Sequence, residues 1–342
     1  MLTADLTTEE RQTWAKKLAQ WQNEVDDYGV NEAFEVAMAA AEQGWDYPPL
    51  VQVLQGEITE KGAWEKEAPS YADALAIARL NALERQGRYQ EYLHLAEAEG
   101  QTGRYVTMLV HLGRAQEAVD YGLQYLGTTE EALALAKVLR ERGERQGAQR
   151  IAQHGLDIEG EKVSPAAWMA DLALGMGEIE PALDAGLIAF RAVPDLAAYQ
   201  RVKELAGERW PELRRQLRTQ LRRPRSHYQQ GPVEIFLHEG LIEDAMRAVE
   251  SSASYTLIEE VVDAAIPSHA DWAIRMCCQQ AESILNQGKS QHYHDAARWL
   301  EKARAAYRAA GRETQWDTYL GELMACHRRK YSLMPILEAL KR

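Results

Sequence analysis

The chain has 342 residues and a formal charge of −13; 46% of its residues are apolar and 27% are charged. These fractions exclude a disordered chain, and no apolar run reaches the roughly 18 residues of a membrane span. Three cysteines and no secretion signal favour a reducing cytoplasm, while the acidic balance argues against general affinity for nucleic acid. Strong helix formers such as Ala, Leu, Glu and Arg are abundant, which predicts an all-α protein.

The first predicted helix begins with an N-cap signal. Thr7 to Glu10 places acidic residues in a first helical turn, where they favour the helix dipole. Apolar residues then recur at helical spacing and predict one buried stripe, formed by Trp14, Leu18, Trp21 and Val25. Gly29 is expected to end this helix.

A second helix is predicted from Asn31 to Gln43, with Gly44 at its end. The Pro48-Pro49 pair follows. Because proline lacks an amide hydrogen and its ring collides with the preceding turn, we expect an irregular connection here rather than a helix.

From about Tyr71 the sequence becomes repetitive. Five segments share an apolar helix end, a glycine, a polar turn and an Ala-rich second helix; the glycines are Gly87, Gly113, Gly143, Gly177 and Gly240. Glycine at these positions supplies the left-handed conformation that ends a helix, so each segment predicts an antiparallel helical hairpin. The first four glycines lie 26, 30 and 34 residues apart, near the tetratricopeptide period. Small residues would let the helices approach closely: Ala118, Gly122, Ala148, Ala152, Ala182, Ala185 and Gly186.

The repeat rhythm breaks between about Arg191 and Val233. Residues 201–225 contain nine basic and three acidic side chains, and the stretch RRPRSHYQQGP, with Pro224 and Pro232, predicts a loop at the end of this region. The resulting division is an N-terminal array (1–190), a basic helix and linker (191–232) and C-terminal hairpins (233–342), which could also form one continuous superhelix. Helical hairpins are predicted to resume at Val233 to Ser251, Tyr255 to Ala265 and His269 to Gln287, and the last two helices, Asp295 to Ala310 and Glu313 to Arg329, flank Gly311.

No catalytic, cofactor or metal site is predicted. Cys277-Cys278 and the histidines at 292 and 294 lack the spacing that presents two ligands to zinc from one turn. Gly288-Lys289-Ser290 resembles the end of a phosphate loop, but Ser283 stands where the first glycine belongs, so Gly288 is expected to end a helix. No nucleophile elbow occurs, and the acidic pairs fit solvated helix faces.

The basic segment supplies the candidate contacts. Six arginines could form a stripe on one helix and the following loop that binds nucleic acid or an acidic partner: Arg214, Arg215, Arg218, Arg222, Arg223 and Arg225. The alternative is a solvated helix face that balances the N-terminal third, since residues 1–100 carry 19 acidic and 8 basic side chains.

Both ends of the chain resemble a known family. The N-terminal LTTEERQTWAKKLAQWQNEVDDYG and AFEVAMAAAEQGWDYPPLVQVLQG, with the C-terminal segment from His292 to Leu340, are similar to the helical region of bacterial, cyanobacterial-type SWIM zinc finger proteins. The finger itself has the pattern CxCx(n)CxH. Cys277-Cys278 and Cys326-His327 lack the intervening residue, so no zinc ligand carries over. The resemblance implies an accessory helical scaffold in a family with proposed roles in binding DNA or protein.

These observations predict an α-solenoid-like array of about eight antiparallel, tetratricopeptide-like hairpins. Stacked hairpins bury a continuous core and offer a concave surface for a protein partner. The predicted function is therefore a non-enzymatic scaffold or adaptor without cofactor or membrane contact. The alternative is an accessory nucleic-acid-binding protein that uses residues 201–225.

Overall fold

The computed structural model describes residues 2–4, 6–26, 28, 33–223, 230–250 and 254–341. Those residues form α-helices joined mostly by short turns, with a longer non-helical connection at residues 55–71, and no strand occurs among them. The chain divides into two compact units, unit 1 (Met1–Ala185) and unit 2 (Gly186–Arg342). No helix in the described ranges is both long and apolar enough to cross a membrane.

Unit 1 contains ten complete helices within its described residues. They are α1 (Thr8–Asp26), α2 (Glu35–Gln43), α3 (Pro48–Leu54), α4 (Ala72–Arg85), α5 (Tyr89–Ala98), α6 (Thr102–His111), α7 (Ala115–Tyr125), α8 (Thr129–Glu141), α9 (Arg145–Asp157) and α10 (Val163–Gly175). The division between the units falls within α11 (Ile179–Ala192).

The helices of unit 2 follow in chain order. They are α12 (Leu196–Ala206), α13 (Trp210–Leu221), α14 (Gln230–His238), α15 (Ile242–Val249), α16 (Tyr255–Ala265), α17 (Ala270–Asn286), α18 (Tyr293–Ala309), α19 (Glu313–Cys326) and α20 (Met334–Ala339). Single 3₁₀ turns lie at Gly207–Arg209 and Ser290–His292. The predicted helix from Tyr255 to Ala265 is confirmed, and α17, α18 and α19 begin and end within three residues of their predicted bounds. Helix α20 was not predicted.

Neighbouring helices within each unit pack in chain order. In unit 1, α6 contacts α5, α7 and α8, while α8 contacts α6, α7, α9 and α10. In unit 2, α14 contacts α12, α15 and α16, and α18 contacts α17, α19 and α20. Contacts between elements one or two places apart in sequence are typical of helical-hairpin repeats. The predicted all-α class with tetratricopeptide-like hairpins is confirmed.

The glycine turns between paired helices share one hydrogen-bond pattern. At Gly113 (φ +78°), the glycine amide donates to the Val110 carbonyl at 3.1 Å and the Arg114 amide donates to the Leu109 carbonyl at 2.9 Å. These two bonds define a Schellman motif, which satisfies carbonyls that would otherwise lack a partner at the helix end. The same pair of bonds occurs at Gly87, Gly143, Gly177, Gly240 and Gly311, all with positive φ. The predicted glycine turns are confirmed.

A buried residue lies five positions after each of these glycines, where the next helix begins to pack. Four are fully buried alanines: Ala118, Ala148, Ala182 and Ala245. The small residues predicted to allow close approach are all buried. At Gly122, an added Cβ would lie 2.9 Å from the buried Leu135 side chain, which would have to move to make room for it.

Three local predictions need correction. The Pro48-Pro49 pair begins α3 instead of preventing a helix, because the first amides of a helix have no partner within the helix and proline suits that position. Pro232, predicted to lie in a loop, falls in the first turn of α14 for the same reason. The predicted stripe on α1 buries only Leu18, while Trp14 and Trp21 remain 39% and 41% exposed.

The N-cap of α1 is confirmed. The Thr7 hydroxyl accepts from the Glu10 amide at 3.3 Å, and the Thr7 amide donates to the Glu10 carboxylate at 2.8 Å. This reciprocal pair is a capping box. Gly29 and the predicted start of α2 at Asn31 lie outside the described residues.

Candidate functional site

The predicted arginine stripe lies on α13 and just after it, in unit 2. Arg214, Arg215 and Arg218 belong to α13, while Arg222 and Arg223 follow its last residue. Arg225 lies outside the described residues, as does most of the predicted loop. Leu213, Leu217 and Leu221 form the buried face of α13. The apolar side of α13 therefore packs against the rest of unit 2, and the arginines lie on its other sides.

Arg214 contacts a carboxylate of the same unit. Its side chain forms an ion pair with Glu239, whose side chain is only 6% exposed and which directly follows α14. This contact raises the pKa of Arg214 above its ordinary value. Tyr199 lies beside the pair, and burial, with the nearby Glu239 carboxylate, raises its pKa to about 12. Arg214 therefore connects α13 to the end of α14.

Arg222 binds a second buried carboxylate. Its Nε and Nη2 donate to the two oxygens of Asp244 at 3.0 and 2.7 Å, and Arg247 contacts the same carboxylate from one turn along α15. The Asp244 side chain is 5% exposed. Burial alone would raise the pKa of Asp244, but the hydrogen bonds from Arg222 and the charges of Arg222, Arg247 and Arg218 together lower it. Sequence reasoning missed Asp244 because nothing local relates it to an arginine 22 residues earlier.

The other arginines of the stripe are placed differently. Arg215 is 76% exposed and pairs with Glu212 on its own helix, while Arg223 is exposed after the end of α13. Arg218 is half-buried close to Asp244, and its Nε has no hydrogen-bond partner in the described part of the chain. Two of the six candidates thus bind buried carboxylates, so a ligand would have to displace those contacts to reach them.

A row of three tyrosines, which the sequence analysis did not single out, crosses the hairpin of α6 and α7 in unit 1. The ring centroids of Tyr105 and Tyr121 are 4.5 Å apart, and those of Tyr121 and Tyr125 are 4.4 Å apart. Tyr105 is 8% exposed, Tyr121 is half-buried and Tyr125 is 52% exposed. This tyrosine row therefore leads from the core to the surface.

The hairpin geometry explains why these rings meet. Tyr105 precedes Gly113 by eight residues and Tyr121 follows it by eight. Residues equidistant from the turn of an antiparallel hairpin lie at the same height, so the two side chains face each other. Tyr121 and Tyr125 are four residues apart and occupy one face of α7. Spacing about Gly113 was the sequence signal that could have revealed the row.

Acidic residues surround the tyrosine row. Glu97, in the last turn of α5, is exposed and forms no ion pair within the described ranges, while Glu117 pairs with Arg114 at 2.6 Å. Burial and the carboxylates of Glu97 and Glu117 raise the pKa of Tyr105. Burial and Glu97 likewise raise the pKa of Tyr121 to about 12. Tyr105 and Tyr121 are therefore neutral at pH 7 and lie in a negative electrostatic field.

Unit 2 contains a separate cavity of about 530 Å³ beside α16, α17 and α18. Tyr255 and Trp299 contribute aromatic surface to its lining. Arg298 pairs with Glu259 at 3.0 Å, and Nδ1 of His292 lies 3.3 Å from the Asp295 carboxylate. The cavity thus combines apolar surface with polar groups that contact one another.

The cysteines occupy three different environments in unit 2. Cys277 is fully buried, Cys278 is half-buried and Cys326 is exposed. Burial raises the pKa of Cys277 to about 12. In the described parts of the chain, no group of three or more His, Cys, Asp or Glu side chains is arranged to hold a metal ion. Gly288 has φ +71° and follows α17, as expected for a helix end.

Comparisons with known proteins add little to these observations. No family model matches the sequence, and no protein of curated function matches it. A crystal structure of the P58(IPK) TPR domain is 16% identical, with 99% of this chain and 98% of that chain covered and a TM-score of 0.26. A circular tandem repeat protein with novel repeat topology is also 16% identical, with 98% and 67% covered and a TM-score of 0.14. This chain is thus a tetratricopeptide-like helical-repeat protein by its own helices and turns.

Proposed function

We propose that the chain is a non-enzymatic helical-repeat scaffold that binds a protein partner through the tyrosine row of unit 1. The observation that carries this proposal is the stacking of Tyr105, Tyr121 and Tyr125 up to a half-exposed ring. Tyrosine is enriched at the energetic centres of protein interfaces because it offers a large contact area and loses little side-chain entropy on binding.

The surrounding helices support this role. The Schellman turn at Gly113 fixes the angle between α6 and α7, and α6 also contacts α5 and α8. Since the rings already contact each other, a partner would not have to order them. A preorganised surface loses less entropy on association and therefore retains more of the interaction free energy.

A pull-down from lysate with the intact chain tests the proposal, with and without nuclease and at two salt concentrations. We expect a protein to be recovered stoichiometrically both with and without nuclease. The Tyr125→Ser variant should not recover it. Tyr331→Ser is the matched control, because Tyr331 is 85% exposed and lies outside the row. The proposal fails if no protein is recovered or if both variants recover the partner equally.

Nucleic-acid binding by residues 201–225 is the second candidate, and the exposure of Arg215 and Arg223 favours it. Its test should reverse the charge of these two residues only. Reversal of Arg214 or Arg222 would place a second carboxylate beside the buried Glu239 or Asp244 and would confuse unfolding with lost binding. If Arg215→Glu with Arg223→Glu leaves retention on a nucleic-acid column unchanged, this candidate is excluded.

The relationship to the helical region of SWIM zinc finger proteins stays a prediction. Under that relationship the chain would act as an accessory scaffold. A partner recovered in the pull-down that carries a CxCx(n)CxH finger would support it, because the finger would then be supplied by a second chain.

A further inference from the structure

The two units differ strongly in charge. Residues 1–185 contain 32 acidic and 16 basic side chains, a net charge of −16, whereas residues 186–342 carry +3. The tyrosine row lies in the acidic unit. Long-range attraction would therefore favour the approach of a basic partner to unit 1 and repel an acidic one.

Glu97 is the carboxylate placed to act at the row. It lies in the last turn of α5, which packs against α6, the helix that carries Tyr105, and its charge helps to raise the pKa of Tyr105 and Tyr121. Glu117 differs because Arg114 contacts both of its oxygens, at 2.9 and 2.6 Å. Arg114 therefore neutralises Glu117, whereas Glu97 forms no ion pair within the described residues.

Stacked rings next to a carboxylate suit one chemical group in particular. The face of a tyrosine ring carries partial negative charge and attracts a cation within about 6 Å of its centroid. A lysine or arginine side chain can lay its apolar stem along a ring while its charge reaches a carboxylate. A purely aliphatic side chain would gain from the rings but not from Glu97, and an acidic side chain would be repelled by both.

We propose that Tyr121, Tyr125 and Glu97 bind a lysine or arginine side chain from a basic segment of a partner protein. This inference rests on the proposed function and specifies its partner class. The cation lies against the exposed ring of Tyr125 and pairs with Glu97, and the acidic surface of unit 1 attracts the rest of the basic segment.

Selection from a library of random 12-residue peptides displayed on phage, against the full chain, provides the first test. We expect enrichment of sequences rich in lysine and arginine. A synthetic peptide of the most enriched sequence is then compared with the same peptide in which citrulline replaces arginine and norleucine replaces lysine. The neutral peptide should bind at least about tenfold more weakly, since several charged contacts are lost at once.

Single substitutions locate the site. Glu97→Gln removes the charge and keeps the shape, and Tyr125→Leu removes the ring and keeps an apolar side chain. Each should lower the affinity of the basic peptide about two- to fivefold. Glu141→Gln changes the net charge by the same amount but lies by the Gly143 turn. The tyrosine row is about 12 Å along the helices from the corresponding turn at Gly113, so this control should have little effect.

The outcomes separate this inference from the proposed function. Equal weakening by Glu97→Gln and Glu141→Gln would show diffuse attraction and overturn the site, as would selection of peptides that are not basic or of none. If the pull-down then still recovers a protein in a Tyr125-dependent way, the scaffold function stands and only the basic partner is wrong. Selective weakening by Glu97→Gln and Tyr125→Leu supports the proposal.

Discussion

The ion pair between Arg222 and the buried Asp244 carboxylate should stabilise unit 2 by more than an exposed pair of aspartate and arginine. Asp244→Asn keeps the side-chain shape but removes the charge that accepts from Arg222 and contacts Arg247. Removal of one partner of a fully buried ion pair costs about 3–5 kcal/mol. Here the side chains of Arg222 and Arg247 are 46% and 65% exposed and can return to water. We therefore expect a loss of about 2 kcal/mol.

Asp271→Asn is the matched control. Asp271 also pairs with an arginine outside its own helix, Arg312 in the turn before α19, but the Asp271 side chain is 75% exposed. Exposed pairs contribute about 0–1 kcal/mol because water and salt screen them. Hydrogen exchange of α13 and α15, followed by mass spectrometry, measures the local opening free energy without assuming that both units unfold together. Equal losses in the two variants would refute the role of burial.

The pH dependence gives a second readout of the same contact. The pKa of Asp244 is lowered in the folded chain, so its stabilisation is present above its ordinary pKa of about 4 and is lost as the pH falls through the folded value. The difference in local opening free energy between wild type and Asp244→Asn should therefore be at its maximum at pH 7 and should shrink below about pH 4. A difference that stays constant at low pH would contradict this assignment.

Three further outcomes test the turns, the helix contacts and the thiols. Gly177→Ala should destabilise unit 1 by about 1–2 kcal/mol in urea unfolding, because Gly177 has a positive φ that alanine adopts only at a cost. Gly175→Ala is the control: an added Cβ meets no atom at either glycine, but Gly175 is helical, so this variant should not destabilise the unit. Gly155→Ala should cost about 1–3 kcal/mol, since its Cβ would lie 2.8 Å from a buried alanine of α8. In native labelling with N-ethylmaleimide at pH 8, Cys326 should react first, and Cys277 should react only after unfolding because it is buried with a raised pKa; similar rates would contradict this.

The sequence alone was sufficient for the helices and their turns because both depend on local interactions. A glycine after an apolar helix end predicts a Schellman turn, whose two hydrogen bonds join residues within six positions of each other. The buried alanines five residues later follow from the same repeat. Pro48-Pro49 shows the limit of the local rule, since proline prevents a helix in its interior but suits its first turn.

Tertiary structure decided how the candidate residues are used. The basic run around α13 was visible in the sequence, but the contacts of Arg214 with Glu239 and of Arg222 with Asp244 join residues 25 and 22 positions apart. No periodicity specifies such pairs, because they depend on how α13 packs beside α14 and α15. The tyrosine row depends on both levels. The spacing of Tyr105 and Tyr121 about Gly113 is visible in the sequence. The exposure of Tyr125 and the effect of Glu97 on the row arise only when α5, α6 and α7 pack together.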